Sequence, residues 1–315
     1  MATALMMGGH NFQPDKDIPD LAGKVVLVTG GNSGLGLETV RQIAKHNPAH
    51  IYLAARSKEK GEAAIETLKK ENPDAAPISH LPLDLASFES IKAAAKQFTA
   101  ASDRLDLLIN NAGIMHTPEG LTEDGYEIQF GTNHMGHALL TQLLLPTLKK
   151  TAAAVGENPD VRVVFLSSAA EGWAPKDTYQ FDRLKTTMPE TASRFRYGIS
   201  KVANVHYAAA LAERTPEIKV VCVHPGVVDT NLAEPLLSNT NAILGTLLWV
   251  GVKIVAVSTQ KGALNQLWAS FHPDVETGAF YFPVGVPGKG TKLSQDHKKR
   301  EQLWKWTEDE LRSHL

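Results

Sequence analysis

Short apolar runs that alternate with helix-forming spacers constrain this chain more than any other feature. Runs at 25–29, 51–54, 80–83, 105–110, 161–167, 219–223 and 280–283 are mostly β-branched or aliphatic, and spacers such as 58–71 and 87–100 are rich in Ala, Leu, Lys, Glu and Gln. A strand that is apolar along its whole length must be covered on both faces, which is the mark of a parallel sheet joined by crossover helices. Right-handed crossovers then predict an α/β fold: a doubly wound parallel sheet of about seven strands with helices on both faces.

Length and charge narrow the function classes. At about 150 residues per domain, 315 residues admit two domains or one large α/β domain with extensions. Thirty-two Lys and Arg against 34 Asp and Glu leave a net charge of -2, with no surplus to neutralise a nucleic-acid backbone, so no nucleic-acid partner is expected. With 43% hydrophobic residues the chain can bury a full core. The single cysteine, Cys222, cannot form an intrachain disulfide, which points to a reducing compartment and a cytoplasmic location. The first fifteen residues lack Lys and Arg and carry Gly8-Gly9-His10-Asn11 in place of an apolar run, so they do not read as a signal peptide. The most apolar stretch, 242–257, is interrupted by Lys253 and is shorter than the roughly 20 residues a spanning helix needs. No transmembrane segment is expected; the stretch reads as a helical cover over a site, with shallow membrane contact or an oligomer interface as alternatives. Ser313-His314-Leu315 differs by one residue from a Ser-Lys-Leu address, which makes the peroxisome the alternative destination.

The run at 25–29 leads straight into Gly30-Gly31-Asn32-Ser33-Gly34-Leu35-Gly36, after which 37–45 reads as helix. Glycines let the backbone bend sharply and approach a pyrophosphate, and the helix N-terminus offers unpaired N–H groups and a positive dipole end. In its strand-turn-helix context this predicts a dinucleotide site. At the end of the second strand an NAD site would place an acid for the adenosine ribose, but the chain has Ala54-Ala55-Arg56-Ser57-Lys58. Arg56, with Ser57, Lys58 and Ser33, can pair with a 2'-phosphate, so NADP(H) is the expected cofactor; a solvated basic turn is the plainer alternative.

Tyr197 and Lys201 lie four apart within 195–214, which reads as helix, and so share one face. A tyrosine with a pKa near 10 is almost fully protonated at neutral pH, and a neighbouring ammonium stabilises its phenolate, so the pair is a candidate proton donor and acceptor. The spacing alone also suits an ordinary helix face. Three further features lie at the same rim of the sheet. Ser167-Ser168 ends one apolar run and Asn110-Asn111-Ala112-Gly113 another, with Asn133 on the next helical segment; Pro225-Gly226 follow the run of Cys222, with Thr230 soon after. That rim, outside the carboxyl ends of the strands, is where doubly wound sheets bind ligands.

In TGGNSGLG at 29–36, NNAG at 110–113, SS at 167–168, YGISK at 197–201 and HPGVVDT at 224–230, the chain resembles the short-chain dehydrogenase/reductase superfamily, in its classical branch, over nearly all of 24–285. The segment 110–137 resembles the retinol-dehydrogenase-like group that includes many fungal reductases. The resemblance implies a Rossmann fold and an NADP(H)-dependent oxidoreductase that interconverts a carbonyl and an alcohol. It implies that Ser168, Tyr197 and Lys201 form a catalytic triad, that Asn133 holds a proton-relay water, and that Lys201 lowers the tyrosine pKa. It further implies that Gly30, Asn32, Ser33, Gly34, Leu35 and Gly36 cradle the cofactor and that Arg56 and Lys58 hold its 2'-phosphate. Asp84 and Leu85 would meet the adenine, and Asn111, Ala112 and Gly113 the adenosine side. Pro225, Gly226, Val228 and Thr230, with Tyr197 and Lys201, would surround the nicotinamide end.

Other readings fit less well. His134 and His137 have no third ligand motif, so both read as structural and no metal is expected. Ser168 lacks a Gly-x-Ser-x-Gly context, which argues against a hydrolase. Cys222 reads as a buried small hydrophobe, and Trp249, Trp268, Trp304 and Trp306 as core or lid aromatics. The expected organisation is an N-terminal arm (1–23), one NADP(H)-binding domain (24–290) with substrate insertions at 169–196 and 231–257, and a helical tail (291–315). In that tail Leu303, Trp304 and Leu311 pack back, and Thr307 with Glu310 mark a helix start or restart. The segment 151–160 reads as a surface loop. Trp173, Phe181, Leu232, Leu236, Leu237 and Trp249 in the insertions and lid suggest a lipophilic small-molecule substrate. A homodimer is admissible. The competing functions are a cofactor-binding regulator without turnover and a non-redox lyase or isomerase that uses the same tyrosine.

Overall fold

The computed structural model describes residues 9–156, 159–228 and 257–315. At its centre is an eight-stranded sheet in the order β3-β2-β1-β4-β5-β6-β7-β8. The strands are β1 Val25–Thr29, β2 His50–Ala55, β3 Ile78–Pro82, β4 Leu107–Asn110, β5 Arg162–Leu166, β6 Lys219–Val223, β7 Phe280–Phe282 and β8 Val286–Pro287. Neighbours from β3 across to β7 pair in parallel, and β8 turns back antiparallel onto β7. This is the doubly wound sheet that the alternation predicts; the count of about seven misses β8, which at two residues is too short to leave a pattern.

The helices are α1 Pro14–Asp17, α2 Gly34–Ile43, α3 Lys58–Glu71, α4 Phe88–Ala101, α5 Ile128–Phe130, α6 Gly136–Val155, α7 Ser193–Arg214, α8 Thr259–Phe271 and α9 His297–Leu311. Side-chain caps start several of them: Ser57 accepts from the Lys60 amide, Ser87 from Ser90, Ser258 from Lys261 and Asp296 from Lys299.

The central strands are apolar throughout because alternate residues feed two cores, one on each face. Val25 and Leu27 of β1 enter one core while Val26 and Val28 enter the other; Val163 and Phe165 oppose Val164 and Leu166 on β5, and Val220 and Cys222 oppose Val221 and Val223 on β6. After β3 the chain crosses from that edge to the far side of β1. The carboxyl ends of β1 and β4 therefore open a crevice at the point where the strand order reverses.

The tail packs back as its sequence suggests, with Leu303 and Leu311 fully buried and Trp304 stacked on Tyr207 at 5.1 Å. Thr307 does not start a helix. It is fully buried inside α9, which runs unbroken from its Asp296 cap, and its hydroxyl bonds His134. Nor are 151–155 a loop: α6 continues to Val155, because an alanine-rich stretch propagates a helix already begun. Phe181, offered above to a substrate, instead stacks on Trp306 at 4.9 Å beneath α9. The expected cover at 242–257, with Trp249, and the lid leucines Leu232, Leu236 and Leu237 lie outside the described residues, save Val257, which bridges to Val228. Among the described residues no helix is long and apolar enough to cross a membrane.

Candidate active site

β1 ends at Thr29, and the chain turns through Gly30 and Gly34 at φ of +66° and +54°, backbone that favours glycine. A Cβ on Gly36 would lie 2.2 Å from the Gly30 carbonyl oxygen, so the turn closes only around a bare Cα. Ser33 stands at the N-cap of the ten-residue α2, yet its side chain makes no cap bond. The hydroxyl and the first amides of α2 are thus available to an anion. Asn111 Nδ2 donates to the Thr29 carbonyl at 2.8 Å and the Ala112 amide to Thr29 Oγ1 at 3.0 Å, which pins the end of β4 to the turn.

Two hollows meet at Gly30, Asn32, Ala112 and Gly113. The larger, about 470 Å³, runs past Ser33, Gly34 and Leu35 to Tyr197 and Lys201, with Pro225 on its flank. The smaller, about 250 Å³, lies beyond the ends of β2 and β3, among Arg56, Ser57, Lys60, Asp84 and Leu85. Such a bipartite cleft suits a ligand of two linked halves. Thr132 lines the smaller hollow, and its buried hydroxyl has no hydrogen-bond partner among the described residues.

Lys58 departs from its expected place. It lines a separate surface hollow and lies 3.9 Å from Glu62, whereas Lys60 faces the cleft. Two residues of α-helix turn the side chain by about 200°, so helix phase separates the two lysines. Arg56 is 80% exposed and reaches Asp84 Oδ2 at 3.9 Å, while Asp84 Oδ1 accepts from the Ala86 amide at 2.9 Å. Gly226 adopts a φ of +91° beside the larger hollow. Val228 is turned inward against Gly262 and Leu35, and Thr230 lies outside the described residues.

Tyr197 and Lys201 are both buried on α7, one turn apart. Lys201 Nζ lies over the Tyr197 ring, 5.5 Å from its centroid, and donates to the Leu166 carbonyl at 3.1 Å. The paired serines take different tasks. Ser167 is buried and donates to the Lys201 carbonyl at 2.7 Å, whereas the half-buried Ser168 accepts from the Ala170 amide at 3.1 Å and lies close enough to the Tyr197 phenol to favour its ionised form. Burial drives that phenol well above its ordinary value, and Ser168 draws it partway back. Burial also pulls Lys201 down to about 8. Desolvation opposes the charged form of each group, so the phenol is raised even with Lys201 Nζ over its ring.

Asn133 sits fully buried in a π-helical turn, Gly131–Met135. Its Oδ1 accepts from the Ile114 amide at 2.8 Å, and its Nδ2 donates to the Ile114 carbonyl and to Ser200 Oγ, both at 2.9 Å. A Cβ on Gly113 would lie 3.3 Å from Asn133 Oδ1 and 3.4 Å from Lys201 Nζ, so these groups converge behind the cleft. His134 bonds Thr307 and His137 bonds Thr29, so each ring has a hydrogen-bond partner within the fold.

Sequence reading missed Lys60, Thr132, Thr259 and Gln266. Thr259 lines the larger hollow, and Gln266 Nε2 donates to Thr39 and, at 3.3 Å, to Asn111 Oδ1. Helix phase marks Lys60, but nothing local marks Gln266, which reaches the turn from α8.

Arg196, the neighbour of Tyr197, forms a buried pair with Glu127 at 3.1 Å and also donates to the carbonyls of Thr187 (3.3 Å) and Thr117 (3.4 Å). One guanidinium thus ties the 169–196 insertion and the 114–117 wall to α7. Arg196→Met strands the Glu127 carboxylate and is expected to cost about 3–5 kcal/mol in urea unfolding. A loss within about 0.5 kcal/mol would show the pair to be idle.

Residues 24–179 match the short chain dehydrogenase family model. Over 314 residues the chain is 40% identical to the short-chain dehydrogenase/reductase drtF of Aspergillus calidoustus, covering 94% of this chain and 96% of that one. The chain is a short-chain dehydrogenase/reductase. This short-chain dehydrogenase/reductase is also 36% identical to retinol dehydrogenase 12 of Mus musculus, over 90% of its own length and 85% of the relative's. The motif reading thus holds for the family and for its fungal and retinol-dehydrogenase-like relatives. Among solved structures it is similar to NADPH-bound carbonyl reductase from chicken fatty liver, with a TM-score of 0.63 and 25% identity over 85% of this chain and 99% of that one. As a member of the family it is an oxidoreductase of the NAD(P) type.

Proposed function

We propose that this short-chain dehydrogenase/reductase interconverts a carbonyl and an alcohol on a lipophilic small molecule, with NADP(H) as cofactor. The observation that carries the reading is the meeting of Tyr197 and Lys201, with Ser168 beside the phenol, at one end of a bipartite cleft whose other end carries Arg56 and Lys60. When bound, the cofactor supplies or accepts the hydride. The glycine turn and the α2 amides take its pyrophosphate, and Arg56, Ser57 and Lys60 offer hydrogen bonds and charge to a 2'-phosphate. The similar chicken enzyme, described as NADPH-bound, agrees with that preference.

Tyr197, kept protonated by burial, is poised to give its hydroxyl proton to a substrate oxygen, and Ser168 donates a hydrogen bond to the same oxygen as charge builds there. Lys201 and Asn133 hold the wall behind Gly113 that faces this cluster. Trp173, Phe195 and Val227, each on a segment next to the cluster, leave large apolar surface exposed, which supports a lipophilic substrate.

A panel of lipophilic ketones, aldehydes and alcohols followed by nicotinamide absorbance tests the reading; turnover should be faster with NADP(H) than with NAD(H). Arg56→Ala should raise KM for NADPH about tenfold and change that for NADH far less. Equal losses for both cofactors would overturn the 2'-phosphate assignment. Tight NADPH binding without turnover of any panel member would favour a regulator instead.

A further inference from the structure

His137 is fully buried where the glycine turn, the Ala112–Gly113 backbone and Asn133 meet. Its Nδ1 lies 3.0 Å from the Asn133 carbonyl oxygen, and its Nε2 lies 2.9 Å from Thr29 Oγ1. A carbonyl can only accept, so Nδ1 carries the ring hydrogen. Because burial keeps the ring neutral, Nε2 is bare and accepts. Thr29 must then donate its hydroxyl hydrogen to Nε2, and its oxygen accepts the Ala112 amide at 3.0 Å. The other acceptor within reach of that hydroxyl, the Ile109 carbonyl, is longer at 3.4 Å. A single polarity thus runs from the Ala112 amide through Thr29 and His137 to Asn133.

We propose that His137 is a positioning residue that couples the cofactor cradle to the Asn133 and Lys201 end of the active site. One rigid ring holds the Thr29–Ala112 contact with one nitrogen and the Asn133 carbonyl with the other. A small shift of Asn133 reaches the Lys201 end through Gly113, because Asn133 Oδ1 and Lys201 Nζ both border the space where a Cβ on that glycine would stand, at 3.3 and 3.4 Å. The coupling rests on the functional reading above.

Nitrogen-15 NMR of the intact protein reads the tautomer without turnover. His137 should show a protonated Nδ1 and a bare Nε2 between about pH 6 and 8. The opposite tautomer, or an imidazolium in that range, overturns the proposal. Two substitutions then separate the arms, because an Asn amide reproduces the Nδ1 donor and a Gln amide the Nε2 acceptor. His137→Asn should weaken NADPH about tenfold in a fluorescence titration, and His137→Gln should instead lower turnover at saturating NADPH about tenfold, a loss that Asn rescues. Variants that match each other in both measurements would reduce His137 to packing and overturn the coupling. If neither folds, Thr29→Val decides: it should move the His137 Nε2 resonance and weaken NADPH, and no change in either overturns the proposal. Absence of NADPH binding by the native protein would defeat the functional reading and leave the tautomer to judge the network. Turnover that survives Tyr197→Phe also defeats that reading, whereas its loss beside silent His137 variants defeats only the coupling.

Discussion

Tyr197→Phe should lower kcat/KM for carbonyl reduction about a thousandfold, roughly 4 kcal/mol of barrier, while NADPH affinity stays within a few-fold. The substitution removes one oxygen and keeps the ring over which Lys201 Nζ sits at 5.5 Å, so the wall of the cleft is preserved. Ser168 would remain as a hydrogen-bond donor to the substrate oxygen, but without the phenol no side chain beside it stands ready to give up a proton. Steady-state kinetics with the best panel substrate and a fluorescence titration of NADPH separate the two effects. A variant with more than about a tenth of native turnover would remove Tyr197 from the chemistry.

A steep loss of stability is expected as pH falls from about 6.5 towards 4. Burial holds His134 at about 3 and His137, His206 and His224 at about 4 in the folded protein. In the unfolded chain each titrates near 6.5. Below that value the unfolded state binds protons that the folded state refuses. The contribution is therefore complete above about pH 6.5 and drains as pH drops towards the folded values. Each histidine supplies at most about 1.4 kcal/mol per pH unit, so the four together approach about 5 kcal/mol per unit, a large share of a typical 5–15 kcal/mol total. His206 shows why the cost is structural as well as electrostatic. Its Nδ1 faces the Tyr179 hydroxyl at 2.7 Å and its Nε2 the Leu293 carbonyl at 2.9 Å, and a ring with two hydrogens can no longer accept from the phenol. Urea midpoints measured at neutral pH and at about pH 5 provide the check; equal midpoints would show that the rings are charged inside the fold.

What could be read from the sequence followed the range of the interaction. The glycine turn is visible because backbone geometry demands particular residues at fixed offsets, and the strands because alternate residues fill two cores. The Tyr197 and Lys201 pair is visible because helical spacing alone brings both to one face. Lys58 and Lys60 look alike in a charged turn, and only helix phase, a local rule, separates the one that faces the cleft. Thr307 misled for the opposite reason: its capping spacing is local, whereas its hydroxyl is committed to His134, 173 positions away in sequence. Gln266 and Thr132 leave no local trace at all, since each matters only for what the fold brings beside it. The burial that raises the tyrosine leaves no such trace, because charge spacing can be counted along a chain and desolvation cannot.

Cys222 is the one thiol in the chain and lies on β6, between β5 and β7, only 1% exposed. Burial pushes its pKa upward, so the native protein offers a reagent almost no thiolate. Alkylation must wait until the sheet parts, which makes its rate under native conditions a count of how often the centre of the molecule breathes. The chain therefore carries a built-in clock for its own opening, and anything that fastens the two walls of the cleft together can be recognised by how far it slows that clock.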